Sequence, residues 1–176
     1  MRVASQLTFC SPQQVLSRTV VEQDELNIIK AIFSLDESSV ESSHTLFYDG
    51  IISAEIVSVK HQATKSDFDK LISDYQYIDL TGSIPEVKIH RTTKPLLLDF
   101  GTNEIETINL KLSILAPLLE TFSALEIIAA CTFYPAILCE INSALVEDRK
   151  TDLLLWENVD LVNKRITPET KIRIIG

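Results

Sequence analysis

Strand-forming sequence occupies both ends of this chain and a helical stretch lies between them, so the tail must return to the head for its strands to find partners. At the N-terminal end, Val3 to Phe9, Val15 to Glu22, Ile28 to Ser34, Thr45 to Tyr48 and Ile51 to Val59 are rich in Val, Ile, Thr and aromatics. Polar stretches separate them, with Gln23-Asp24-Glu25-Leu26-Asn27 at hairpin length and Ser38 to Ser43 as a loop. An antiparallel, sandwich-like start is predicted. The same composition comes back at Asp152 to Glu157 and Lys171 to Ile175, with Thr167-Pro168 as cap and first residue of a short helical turn. One domain closed by its own tail is the economical arrangement.

The middle alternates. Ser66-Asp67-Phe68-Asp69 sets an N-cap serine three residues before an acid, predicting a helix over Asp67 to Asp74. Glu86 to His90 and Pro95 to Phe100 read as strands, the second apolar at nearly every position, as a strand covered on both faces would be. Ile108 to Phe122 has helical period with Pro117 forcing a break, and Ser123-Ala124-Leu125-Glu126 is a capping box opening a helix that Pro135 interrupts. The predicted class is therefore α+β. A β-sandwich-like composite domain is formed by residues 1–60 and 150–176, and residues 61–149 form a helix-rich, partly α/β middle.

Charge and composition narrow the function. With 16 Lys+Arg against 25 Asp+Glu the net charge is −9, which argues against nucleic acid, whose binding is driven by cations displacing counterions. The most apolar stretch, Ala124 to Ile141, is broken by Glu126, Pro135 and Glu140, and Ser5 and Gln6 interrupt any leader-like run, so neither membrane nor export is expected. Cys10, Cys131 and Cys139 are odd in number, without metal or redox spacing, and read as buried thiols in a cytoplasmic protein. A closed (β/α)₈ barrel typically takes roughly 250 residues and many glycine-rich loops. This chain has 176 residues and four glycines.

Few residues suggest chemistry. Lys60, His61 and Asn103 can be drawn as an acid–base set, but drifted leftover positions explain them better, because a working site must place many groups together. His44 and His90 read as solvated or hydrogen-bonded side chains. Asp67, Asp69 and Asp74 lack the spacing of a calcium loop, Ser113 lies in no nucleophile turn, and Cys131 has no histidine near it in sequence. Trp156 and Phe133-Tyr134 are read as core rather than as a ligand pocket.

Four segments together resemble metal-dependent amidohydrolases of the chlorohydrolase and cytosine-deaminase type. The stretch from Arg18 through "IIKAIFSLDES" to "TLFYDGIISAEIVSVKHQ" is similar to their opening sandwich strands and the "GxxxPGFVNxHxH" phrase that enters the first barrel strand. "LLLDFGTNEIETINLKLSIL" resembles the last barrel strand and helix, with its "LGTDS". "SALEIIAACTFYPAILCE" resembles the helix pair "LEELLxxATxNGAxALG", and "DRKTDLLLWENVDLVNKRITPETKIRIIG" the returning strands with "GKxADLVLL".

The resemblance implies a composite sandwich carrying a last barrel fragment, and it implies that the metal site is lost. His-x-His falls on Lys60-His61-Gln62, so both ligand positions are replaced, and on a strand His61 would face away from them. The metal-binding aspartate falls on Asn103, the Pro-Gly on Ala54-Glu55, and the glycine of the last phrase on Asp148. About thirty residues stand where most of a barrel would. The reading is a non-catalytic amidohydrolase-like protein with a binding or assembly role, using no cofactor, its small-molecule ligand unknown. The alternative is a metal-dependent hydrolase of non-peptide carbon–nitrogen bonds. A two-fold dimer is also expected, since too few helices remain to cover the strand Pro95 to Phe100.

Overall fold

The computed structural model describes residues 1–35, 44–62, 68–141 and 145–175. The long hairpin β1 (Arg2–Ser11) and β2 (Gln14–Gln23) pairs antiparallel from Arg2↔Glu22 to Ser11↔Gln14, and β3 (Ile29–Ser34) adds antiparallel to β2. The chain then returns on the far side of β1 as β4 (Thr45–Ser53), running parallel to it, so the sheet is mixed and not the antiparallel one expected. With β7 (Leu153–Glu157) and β8 (Lys171–Ile175) the six-stranded order is β3-β2-β1-β4-β7-β8. The tail does return to the N-terminal sheet. The junction is β7 on β4, while β8 pairs β7 and touches no strand of the first sixty residues by ladder bonds.

The segment read as two strands, Thr45 to Tyr48 and Ile51 to Val59, is one strand that ends at Ser53. Asp49-Gly50 makes no turn. Gly50 (φ +140°) stays inside β4 because the sheet presses the Trp156 carbonyl against it, where a Cβ would stand 2.2 Å from that oxygen.

Successive residues of the central strands feed two cores. Ile51, Leu154, Trp156 and Ile172 face the helices, while Ile52, Leu153, Leu155 and Ile175 face the other way with Val3, Val21 and Ile29. That second core closes because the sheet curls. The Ile29 N–H bonds the Arg149 carbonyl at 2.7 Å and Ile28 bridges to Lys150, tying the turn before β3 to the lead into β7. Fully buried Trp156 donates its indole N–H to Ser53 Oγ at 2.9 Å, which answers the core reading of that residue.

Beyond β4 come two short helices, α1 (Val59–Gln62) and α2 (Phe68–Ile72), and a separate parallel pair, β5 (Gln76–Asp79) and β6 (Leu96–Asp99). Lys60, His61 and Gln62 thus lie on a helical turn and not on a strand, so the alternation argument made for His61 does not apply. The side chains of His61 and Gln62, like Asp67, fall outside the description. No strand forms at Glu86 to His90, because the Ile89 N–H is taken by the Leu118 carbonyl. α3 (Ile105–Leu115) gives way at Ala116 to a 3₁₀ turn, Ala116–Leu119, that absorbs Pro117. Ser123 caps α4 (Ala124–Cys131) with the reciprocal Glu126 bonds of a complete capping box. The break before α5 (Phe133–Leu138) comes at Thr132. Pro135 does not interrupt a helix, since it is the third residue of α5, where an N–H has no helical acceptor. Thr167-Pro168 makes a turn closed by Thr170 N–H to Thr167 O, not a helix.

Helix α4, with α5, lies on β6, and every residue from Leu96 to Phe100 is buried. The strand expected to be uncovered is covered, which removes the reason given for a dimer. At the other end of the molecule Asn109 of α3 grips the backbone of β8: its Nδ2 donates to the Ile172 carbonyl at 2.8 Å and its Oδ1 accepts the Ile172 N–H at 2.7 Å. A side-chain amide thereby satisfies an edge strand that would otherwise present open groups.

Candidate functional site

The carboxyl ends of parallel strands are where open α/β sheets gather ligand groups. β5 and β6 both end there in an aspartate, Asp79 and Asp99. Asp99 is fully buried. Its Oδ1 accepts from Ser58 Oγ (2.8 Å) and the Gly101 N–H (3.0 Å), and its Oδ2 from the Lys60 N–H (2.9 Å) and the Tyr77 hydroxyl (3.3 Å). A carboxylate offers about four lone-pair positions, and all are used. The turn that brings Gly101 round requires φ +65°, and a Cβ there would meet Thr81 Cγ2 at 2.2 Å, so glycine is demanded twice over.

Asp79 is half exposed and neutralised beside it. Lys60 Nζ bonds Asp79 Oδ2 and reaches Thr81 Oγ1 at 3.2 Å, while Thr81 gives Asp79 Oδ1 both its N–H (3.0 Å) and its hydroxyl (2.7 Å). Burial pushes the Asp79 acid up, but the bonds from Lys60 and Thr81 outweigh it and hold the group at about 2. Burial, then the charges of Asp99 and Asp79, raise the Tyr77 hydroxyl well above its ordinary range. Cys139, half-buried rather than buried, is raised by burial and by Asp99. Neither Asp79 nor Tyr77 changes charge near neutral pH, where a general acid or base must be poised.

Asn103 is placed elsewhere, exposed on a small cleft of about 100 Å³ with Glu55 and Asp152. Burial raises the Glu55 acid, the Asp152 charge adds to this, and Arg149 opposes it. Of the three positions the resemblance singles out, Lys60 is therefore in the strand-end cluster, Asn103 outside it, and Gln62 described in backbone only. Among the described residues no group of three His, Cys, Asp or Glu side chains is arranged to hold a metal.

The remaining candidates have ordinary settings. His44 and His90 are exposed, Ser113 Oγ bonds back to the Leu110 carbonyl at 2.8 Å, and Asp69 and Asp74 are solvated. Cys131 is buried and its thiol is pushed up by that burial. Tyr134 is half-buried and packs against Tyr75 and Phe133. Sequence reasoning passed over Ser58, Tyr77, Asp79 and Asp99. The signal for Asp99 was available: an acid that closes an apolar run has its charge taken inside with it and must be met there.

No family model matches the chain, and no curated protein matches it. Among solved structures it is similar to the N-acetyl-D-glucosamine-6-phosphate deacetylase from Mycobacterium smegmatis, at 9% identity and a TM-score of 0.27. The alignment covers 80% of this chain and 41% of that one, so the chain spans less than half the enzyme's length. Among the described residues no helix is long and apolar enough to cross a membrane.

Proposed function

We propose that this is a non-catalytic, amidohydrolase-like protein that acts by binding or assembly. The observation that carries the reading is the state of the strand-end carboxylates. Asp99 has no lone pair left for a cation, and Asp79 is matched by the ammonium of Lys60, the residue that stands where the sequence resemblance calls for a histidine ligand. A fixed positive charge on the chain thus takes the electrostatic place of a metal. In this reading residues 1–60 and 150–176 are the retained composite domain and residues 61–149 the barrel-derived remnant. Three free thiols fit a reducing compartment such as the cytoplasm. Self-association, if it serves the role, runs through a surface other than β6, and outward Leu110 and Ile114 on α3 are among the exposed apolar side chains that could serve it.

Elemental analysis of the dialysed protein tests this. Far less than one equivalent of zinc, iron or manganese, unchanged by Lys60→His, is the expected result. Stoichiometric metal lost on Asp79→Asn or Asp99→Asn would instead establish the hydrolase reading. Sedimentation equilibrium tests assembly, with a single species near 19.8 kDa arguing for binding alone.

A further inference from the structure

A second site lies on the helix-covered face of the large sheet, apart from the strand-end cluster and independent of the reading given to it. Leu7, Val15 and Ile51 from β1, β2 and β4, Leu125 from α4, and Val159 and Leu161 from the loop after β7 enclose a cavity of about 220 Å³. Its walls are apolar except at one point. Lys164 stands at the rim, exposed, and among the described residues no hydrogen bond or ion pair engages its ammonium. Asp160, the nearest acid in sequence, is already occupied by the Val162 and Asn163 N–H groups and the Asn163 amide.

The rim lysine is held in place by backbone. Lys164 adopts φ +55°, a conformation that costs a side-chain-bearing residue, and it turns its carbonyl to the Ala124 N–H of α4 at 2.7 Å. The bond fastens the loop 159–166 to α4, which also lines the cavity, so the backbone that carries the lysine keeps a set relation to the opening. Pockets that select small molecules combine an apolar interior with one or a few placed polar groups.

We propose that this cavity binds a short amphiphile, a straight or lightly branched acyl chain with an anionic head, the head at Lys164 and the chain among the leucines and valines. Size sets the length. An apolar cavity of about 150 Å³ stays dry and takes benzene, so this one accommodates a body of about six to eight carbons. Charge sets the head, because among the described residues Lys164 is the charged side chain that lines the cavity and an anion complements it.

The test uses the full chain and sodium octanoate, followed by ¹H–¹⁵N correlation spectra. Saturable shifts around Leu7, Val15, Ile51 and Leu125 are expected, with butanoate and dodecanoate both binding more weakly than octanoate. Lys164→Gln keeps the anchoring carbonyl and should weaken octanoate by about fivefold, the scale of one exposed ion pair, while leaving octan-1-ol unaffected. Leu125→Trp, which fills the space, should abolish both. If that variant does not fold, the chain-length series and Lys164→Gln decide alone. The proposal is overturned by a folded protein that gives no saturable response at millimolar octanoate, by affinity that rises through dodecanoate, or by equal octanoate affinity in Lys164→Gln. A dimer of twice 19.8 kDa that octanoate dissociates would assign the cavity to a second copy's side chain and overturn it equally.

Discussion

Lys60 and Lys164 carry the same charge into opposite settings. The Lys60 ammonium is closed in by Asp79 and Thr81 while its own backbone N–H serves Asp99, so the strand-end cluster satisfies itself. Lys164 lines an apolar hollow, and among the described residues its carbonyl has a partner while its ammonium has none. The difference shows how polar groups reveal their use. Where donors and acceptors close on one another within the chain, they stabilise it and leave little for a ligand. Where a charged side chain borders apolar space without a partner in the fold, it is open to a ligand that supplies both an anion and an apolar body.

The comparison is broken most directly at Asp99. Replacing it with Ala leaves the Ser58 hydroxyl and the Lys60 and Gly101 N–H groups without their acceptor, and a cost of about 3–5 kcal/mol is expected in urea denaturation. Unchanged or raised stability in Asp99→Ala would mean that the cluster is kept for a ligand. Ser123→Ala removes the capping box of α4, the helix that both covers β6 and walls the cavity, and should cost about 1 kcal/mol by thermal unfolding. Octanoate should restore part of that loss in Ser123→Ala if the cavity binds it.

Filling the cavity modestly works in the other direction. Leu125→Phe is expected to stabilise the protein by about 0.5–1 kcal/mol, since the added ring has space to enter, and to weaken octanoate. Destabilisation would show the space to be smaller than the walls suggest. The smallest effect is electrostatic. Asp79 is held at about 2 in the folded chain, below the ordinary aspartate value of about 3.9. Its contribution is therefore present above pH 4 and fades as pH falls toward 2. The pair is more than a third exposed, so screening limits this to about 0.2–1 kcal/mol. A difference in the acid limb of the stability curve between the wild type and Asp79→Asn measures it.

Much of the local structure was legible in residues near one another in sequence. Ser123 and Glu126 specify their capping box because both partners lie within one turn, and Pro117 ends α3 because its ring excludes the preceding helical bond. The strand at Lys171–Ile175 was visible from alternation and β-branched content, and the one at Leu153–Glu157 as a short apolar run. β5 was not, being four residues of mixed polarity whose pairing with β6 is supplied from twenty positions away. Of the cluster, the sequence marks only Lys60; Asp99 lies within the nearly continuous apolar run Pro95 to Phe100.

What the sequence alone determined is thus the strand character of the two ends, the capped helix α4 and the return of the tail to the head, since strand edges need partners wherever they lie. The tertiary structure decided the rest. That β4 runs parallel to β1, that Lys60 meets Asp79 and Asp99 while Asn103 does not join them, and that Lys164 is left facing apolar space all follow from contacts between distant parts of the chain. Short-range propensities carry no information about such pairings, because their free energy comes from desolvation and hydrogen bonding between groups that meet only when the sheet has curled and the helices have closed over it.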